Sequence, residues 1–207
     1  MIRKLPASVT VMAALWLSVA TAPAQATNAS ADAQMNTYIQ QYQNQEFEPA
    51  YEGFKSLADQ GHTEAQYFLG VYYMYGGGDE PPRPDLSRKW FKQALDGWTA
   101  EAQAGDPVAM IEISTMYNTG LGVDRDPAAA LVWARKAADL DHPEAWATLG
   151  DMYLAGDGVK KDMHTAADWY QKASDRGNEH GDMALRWMRR QHPEIFDTAD
   201  GEVSNDS

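Results

Sequence analysis

Two short stretches, NTGLGVDRD (residues 118–126) and LAGDGVKKD (154–162), set paired glycines, a valine and an acid at one spacing. Glycine-rich segments can cradle phosphate on backbone N–H groups when a strand precedes them and lysine with serine or threonine ends them. Neither condition holds here. The flanks carry helical spacing, and Asp124 and Asp162 would repel phosphate. The glycines read instead as turns between helices, supplying positive φ where other residues would strain. Other reactive groups are no better assembled. His62, His142, His164, His180 and His192 are scattered, mostly at turns or helix starts, with no metal-binding spacing. His180 and Asp182 are two apart and point to different sides of a helix. The chain has no cysteine, which removes thiol catalysis and cysteine-ligated metals, and it has no Gly-x-Ser-x-Gly elbow. No nucleophile, base and orienting group come together, so no enzymatic activity, cofactor or metal is expected. The many carboxylates of so acidic a chain leave a catalytic pair as an open alternative.

The elements that carry these turns repeat. EAQYFLGVYYMYGGG (64–78), VAMIEISTMYNTGLG (108–122) and EAWATLGDMYLAGDG (144–158) align at offsets of 44 and 36 residues. Ala65, Ala109 and Ala145 correspond, as do Leu69, Ile113 and Leu149, then Tyr73, Tyr117 and Tyr153. A further 36 residues lead to HGDMALRWM (180–188), where Gly181 and Leu185 hold the alanine and leucine positions. Such a period indicates an array of small supersecondary units. Each unit reads as two helices. Ala145, Leu149, Met152 and Tyr153 recur at three and four; after the glycines, Asp162 caps a second stripe of Ala166, Trp169, Tyr170 and Ala173. Asp126-Pro127, Asp106-Pro107 and His142-Pro143 mark other helix starts. Trp90, Trp133 and Trp169 recur where a second helix packs on its first, so they are expected in the core. The longer offset places seven extra residues between Ala94 and Ala109. They read as two added turns on one helix, projecting beyond its neighbours despite Gly97.

These residues resemble the Sel-1-like repeat, a relative of the tetratricopeptide repeat. Ala145, Leu149, Gly150, Tyr153, Gly156, Gly158, Val159, Asp162, Ala166, Trp169, Tyr170 and Ala173 meet its pattern. The preceding copy meets it from Ala109 to Ala138, with Ser114 where glycine is usual. The resemblance implies an all-α fold, a right-handed α/α superhelix (solenoid) of antiparallel helix pairs, over residues 32–191. About four units and a C-terminal cap helix are expected, with Arg186 and Arg189 on its outer side.

Ahead of the array, Arg3 and Lys4 precede the apolar run VTVMAALWLSVA and the small residues of TAPAQA. This is the pattern of a cleaved secretory signal peptide over residues 1–26, followed by a short linker, 27–31. A periplasmic location is expected, with secretion as the alternative and no stable membrane insertion after cleavage. Losing Arg3 and Lys4 takes the formal charge from −13 to −15, which argues against nucleic acid as a partner. Residues 192–207 are expected to be an acidic, disordered tail.

What the resemblance implies about function is adaptor work: binding another protein in a concave groove, as a monomer. Ligand-facing positions in tetratricopeptide arrays lie five and two residues before and after the repeat leucine. Carried over, they select Tyr67, Val71 and Met74, then Ile111, Thr115 and Asn118, then Asp151; the cap adds His180, Met183, Trp187 and Arg190. Trp98, on the added turns, is a further candidate contact. The alternatives are a secreted host-directed virulence factor and a cell-wall hydrolase or glycan-binding protein.

Overall fold

The computed structural model describes residues 28–196. The expected leader (1–26) and the acidic stretch 197–207 lie outside these residues. Among them are nine α-helices, connected by turns, that form an all-α solenoid of consecutive antiparallel pairs. The chain divides into two compact units between Gly97 and Trp98.

The first unit holds α1 (Asn28–Gln43), α2 (Phe47–Asp59), α3 (Thr63–Tyr75) and most of α4 (Pro84–Gln103). Helix α1 begins inside the segment read as a linker. Its stripe of Met35, Ile39 and Tyr42 is buried. The added turns of α4 are present, making it 20 residues long. They do not stand free: Trp98 and Ala102 are both buried. Gly97 has a packing role within the unit, because a Cβ there would come 2.7 Å from the Thr63 hydroxyl.

The second unit continues through α5 (Pro107–Thr119), α6 (Pro127–Ala138), α7 (Pro143–Ala155), α8 (Met163–Ser174) and α9 (Glu179–Gln191). Local chemistry sets the helix starts. Asp106 accepts from the Val108 amide, Asp126 from Ala129, Asp162 from His164 and Thr165, and Asn178 from Gly181. Such caps stabilise a helix by about 1 kcal/mol each. Each repeat tyrosine carbonyl accepts a backbone bond from across its turn: Tyr73 from Arg83 (2.7 Å), Tyr117 from Asp126 (2.8 Å) and Tyr153 from Asp162 (2.9 Å). The glycine pairs have positive φ, so the stretches 118–126 and 154–162 are turns.

The tail departs from expectation at its start. Pro193–Ile195 form a 3-10 turn, and Ile195 and Phe196 pack against a core of Ala166, Ala167, Tyr170, Leu185 and Met188. Residues 192–196 thus belong to the folded end, because the apolar pair covers core that α9 leaves open.

Candidate partner-binding face

In the three pairs from α3 to α8, a small residue on the first helix faces the second. A Cβ on Gly70 would lie 2.6 Å from the Phe91 ring, and one on Gly150 2.5 Å from the Tyr170 ring. In the middle pair Ser114 takes the glycine position, and the residue corresponding to Phe91 and Tyr170 is Ala134, fully buried. The Ser114 hydroxyl donates to the Ala130 carbonyl (2.8 Å); in the preceding pair the bond runs the other way, from Ser87 to Gly70 (2.8 Å). The residues meeting here are Phe91, Ala134 and Tyr170, one position beyond the repeating tryptophans. Trp90, Trp133 and Trp169 are half-buried rather than core, with Lys89, Lys136 and Lys172 over their rings at 5.8, 3.9 and 5.5 Å. Trp146, by contrast, is fully buried. It donates to the Ala138 carbonyl (3.3 Å), with Lys172 at 4.1 Å and Arg176 at 5.4 Å over its face. Its spacing, three residues before Leu149 and seven before Tyr153, was the available signal.

This packing decides which groove candidates reach the surface. In the first unit Tyr67 and Val71 are buried, Tyr67 with its ring 5.3 Å from that of Phe91, while Met74 is exposed. In the second, Ile111 and Trp98 are buried, Thr115 and Asn118 half-buried, and Asp151 and Trp187 exposed. Tyr67, Val71, Ile111 and Trp98 are therefore interior residues, a correction to their expected exposure. Periodicity identifies the face of a helix, but not whether a neighbouring helix covers it.

Of the surviving candidates of the second unit, Asp151 and Asn118 sit in polar networks. The Tyr170 hydroxyl donates to Asp151 (2.6 Å), whose carboxylate also faces His180 Nε2 at 3.2 Å. That hydrogen bond raises the His180 pKa against the opposing effect of burial. Burial and the Asp151 charge push the Tyr170 hydroxyl pKa well up. The Asn178 side chain donates to Glu144 (2.6 Å). Asn118 belongs to a lattice between turns: Arg125 donates to its carbonyl and to Asp157, each at 2.7 Å. These groups fix three helices to one another. Beyond His180 on α9, Met183 and Trp187 stand 61% and 41% exposed, with the His192 ring 5.8 Å from that of Trp187. Among the described residues, no group of three or more histidines and carboxylates is placed to hold a metal, and no helix is long and apolar enough to cross a membrane.

Comparison with known proteins follows the same divisions. The Sel1 repeat model matches residues 63–97, 107–142 and 147–178. A Sel1 repeat protein from Oxalobacter formigenes is 34% identical over 64% of this chain and 94% of that one, with a TM-score of 0.43. The c5321 protein, a protective antigen of uropathogenic Escherichia coli strains displaying an SLR fold, is 33% identical over 77% of this chain. This chain spans only 34% of that antigen's length, at a TM-score of 0.48. Immunity protein Pa5087 from Pseudomonas aeruginosa is 16% identical, covering 78% of this chain and 70% of its own, at a TM-score of 0.41. The matched segments fall on the pairs α3–α4, α5–α6 and α7–α8, and a relative one-third identical is covered over nearly its whole length: the chain belongs to the Sel1 repeat family.

Proposed function

We propose that this chain is an exported, periplasmic adaptor whose second unit holds another protein against Thr115, Asp151, Met183 and Trp187. Sel1 repeats are protein–protein interaction modules. The signal-peptide pattern of residues 1–26 supports export. One observation carries the choice of face. Positions two residues before the repeat leucine are closed in the inner pairs of the second unit, Ile111 at 6% and Ala147 at 0%, yet open at Met183. Methionine and tryptophan are enriched where proteins bind proteins, and both lie on α9, whose His180 meets the Asp151 carboxylate that also accepts from the Tyr170 hydroxyl.

Affinity capture from the native envelope, with crosslinking and mass spectrometry, tests the reading. Wild type should hold a specific envelope protein. Thr115→Arg combined with Trp187→Ala should lose it while helical content stays unchanged by circular dichroism. Retention by that variant, or failure of wild type to hold any protein, overturns the proposal. Fractionation of native cells tests the location: recovery in the cytoplasm with residues 1–26 intact would end the export reading.

A further inference from the structure

First helices of successive pairs touch in the second unit, α5 against α7 and α7 against α9. On α9, Met183, Trp187 and Arg190 are exposed, whereas His180 is half-buried against Asp151, and among the described residues no α-helix packs over that exposed face. We infer that a second copy of this chain packs on this face, two α9 helices pairing antiparallel about a two-fold axis; this rests on the binding face proposed above and assigns its α9 part, Met183 and Trp187, to a second copy. The axis passes at the level of Leu185, midway along Glu179–Gln191. Met183 and Trp187 each lie two residues from that midpoint. Antiparallel pairing therefore sets Met183 against Trp187 of the second copy, twice by symmetry, a favourable sulfur–aromatic contact.

Charge selects the antiparallel direction. The first turn of α9 is acidic, with Glu179 and Asp182, and its last turn is basic, with Arg189 and Arg190. Antiparallel helices set opposite charges together at both ends, whereas parallel ones set like against like. Asp182 is paired within its own helix to Arg186. Glu179 and Arg190 are exposed. At this register Glu179 lies opposite Gln191 of the second copy, one residue from Arg190 and within its reach. A two-fold pairing of this kind closes at two copies.

Sedimentation equilibrium on the chain in its natural processed form tests the pairing. Wild type should show a concentration-dependent monomer–dimer equilibrium. Trp187→Ala should weaken it by about thirtyfold, as loss of a central aromatic contact does. Glu179→Arg and Arg190→Glu should each weaken it by about threefold, in the range of exposed ion pairs. The combined Glu179→Arg/Arg190→Glu variant should recover wild-type association, because the exchanged charges again meet their opposites. Circular dichroism of each variant confirms that α9 is intact. A wild type that is monomeric at all concentrations, or a charge exchange that fails to restore association, overturns self-pairing. The two readings separate cleanly. A monomer that still loses its envelope partner on Trp187→Ala sinks the dimer and keeps the adaptor. A dimer that holds no other protein does the reverse.

Discussion

At the residue scale, the clearest relationship is the exchange of bulk between Gly150–Tyr170 and Ser114–Ala134. A serine is tolerated on α5 where α6 offers only an alanine methyl; on α7 the ring of Tyr170 leaves no space for a Cβ. Gly150→Ser should therefore destabilise by about 1–3 kcal/mol through overpacking, and Tyr170→Ala by about 3 kcal/mol or more through lost packing. Their combination, which recreates the middle pair, should cost less than the two effects added, as urea denaturation would show; strict additivity would mean that the two sites are independent. Glu64 offers a second test. Burial first, and the Asp32 charge second, raise its pKa from 4.5 to about 7. The folded state thus holds the proton more tightly than the unfolded chain, and stability falls as pH rises from about 4.5 through 7. Glu64→Gln, which keeps the shape of the neutral acid, should stabilise by up to about 3 kcal/mol at pH 8 and by little at pH 4.5. Equal effects at the two pH values would refute this account.

At the element scale, the helix pairs were legible because their punctuation is local. Asp106-Pro107, Asp126-Pro127 and His142-Pro143 start α5, α6 and α7 where they were read, although His142 makes no side-chain cap bond. The turns were equally legible, since paired glycines after an apolar stripe have few other uses. Gly158 shows how much rests on them. It has a φ of +69°, and a Cβ would press on the Pro127 carbonyl at the start of α6. Gly177 has a φ of +79° with nothing near it. Gly177→Ala should cost about 1 kcal/mol for backbone strain alone, and Gly158→Ala distinctly more, because a packed backbone must also shift. Thermal melts of the two variants compare strain with and without the clash. Binding positions were poorly legible for a different reason. Tyr67, Val71 and Ile111 lie on the predicted face, but a neighbouring helix can close that face, and spacing within one helix does not report it. Trp98 was misplaced likewise: the added turns of α4 were read as a projection, yet Gly97 lets that helix press close to Thr63. The docking of α9 should carry a pH dependence of its own. His180 has a raised pKa, first through its bond to Asp151. Its contribution is complete below the ordinary histidine value of 6.5 and is lost as pH rises through the raised one. Hydrogen exchange in α9, corrected for the intrinsic pH effect, should show greater protection at pH 5.5 than at pH 8. His180→Gln should abolish that difference; a difference that survives the substitution would assign it to another group.

At the scale of the whole molecule, the chain holds itself together without disulfides, through contacts between successive elements. Helix α1 meets α2, and α2 meets α3; in the second unit α5 through α9 contact neighbours one or two places along. Stability in such an array is close to a sum of the individual repeats and their nearest-neighbour interfaces. A lesion should consequently be felt less the farther an element lies from it along the chain. Gly150→Leu drives a large side chain into the Tyr170 ring and loosens the α7–α8 pair, which carries the Asp151 network and seats α9. Hydrogen exchange read by mass spectrometry should show protection lost first across residues 143–191. The loss should be partial in α5 and α6 and smallest in α1 and α2. The core of the first unit has its own aromatic contacts, Phe54 stacked on Phe68 with ring centroids 5.2 Å apart. They give α2 and α3 a local source of protection that a change at residue 150 does not touch. Uniform loss across both units would show instead that the chain unfolds as one cooperative block, and a nearest-neighbour description of its stability would then fail.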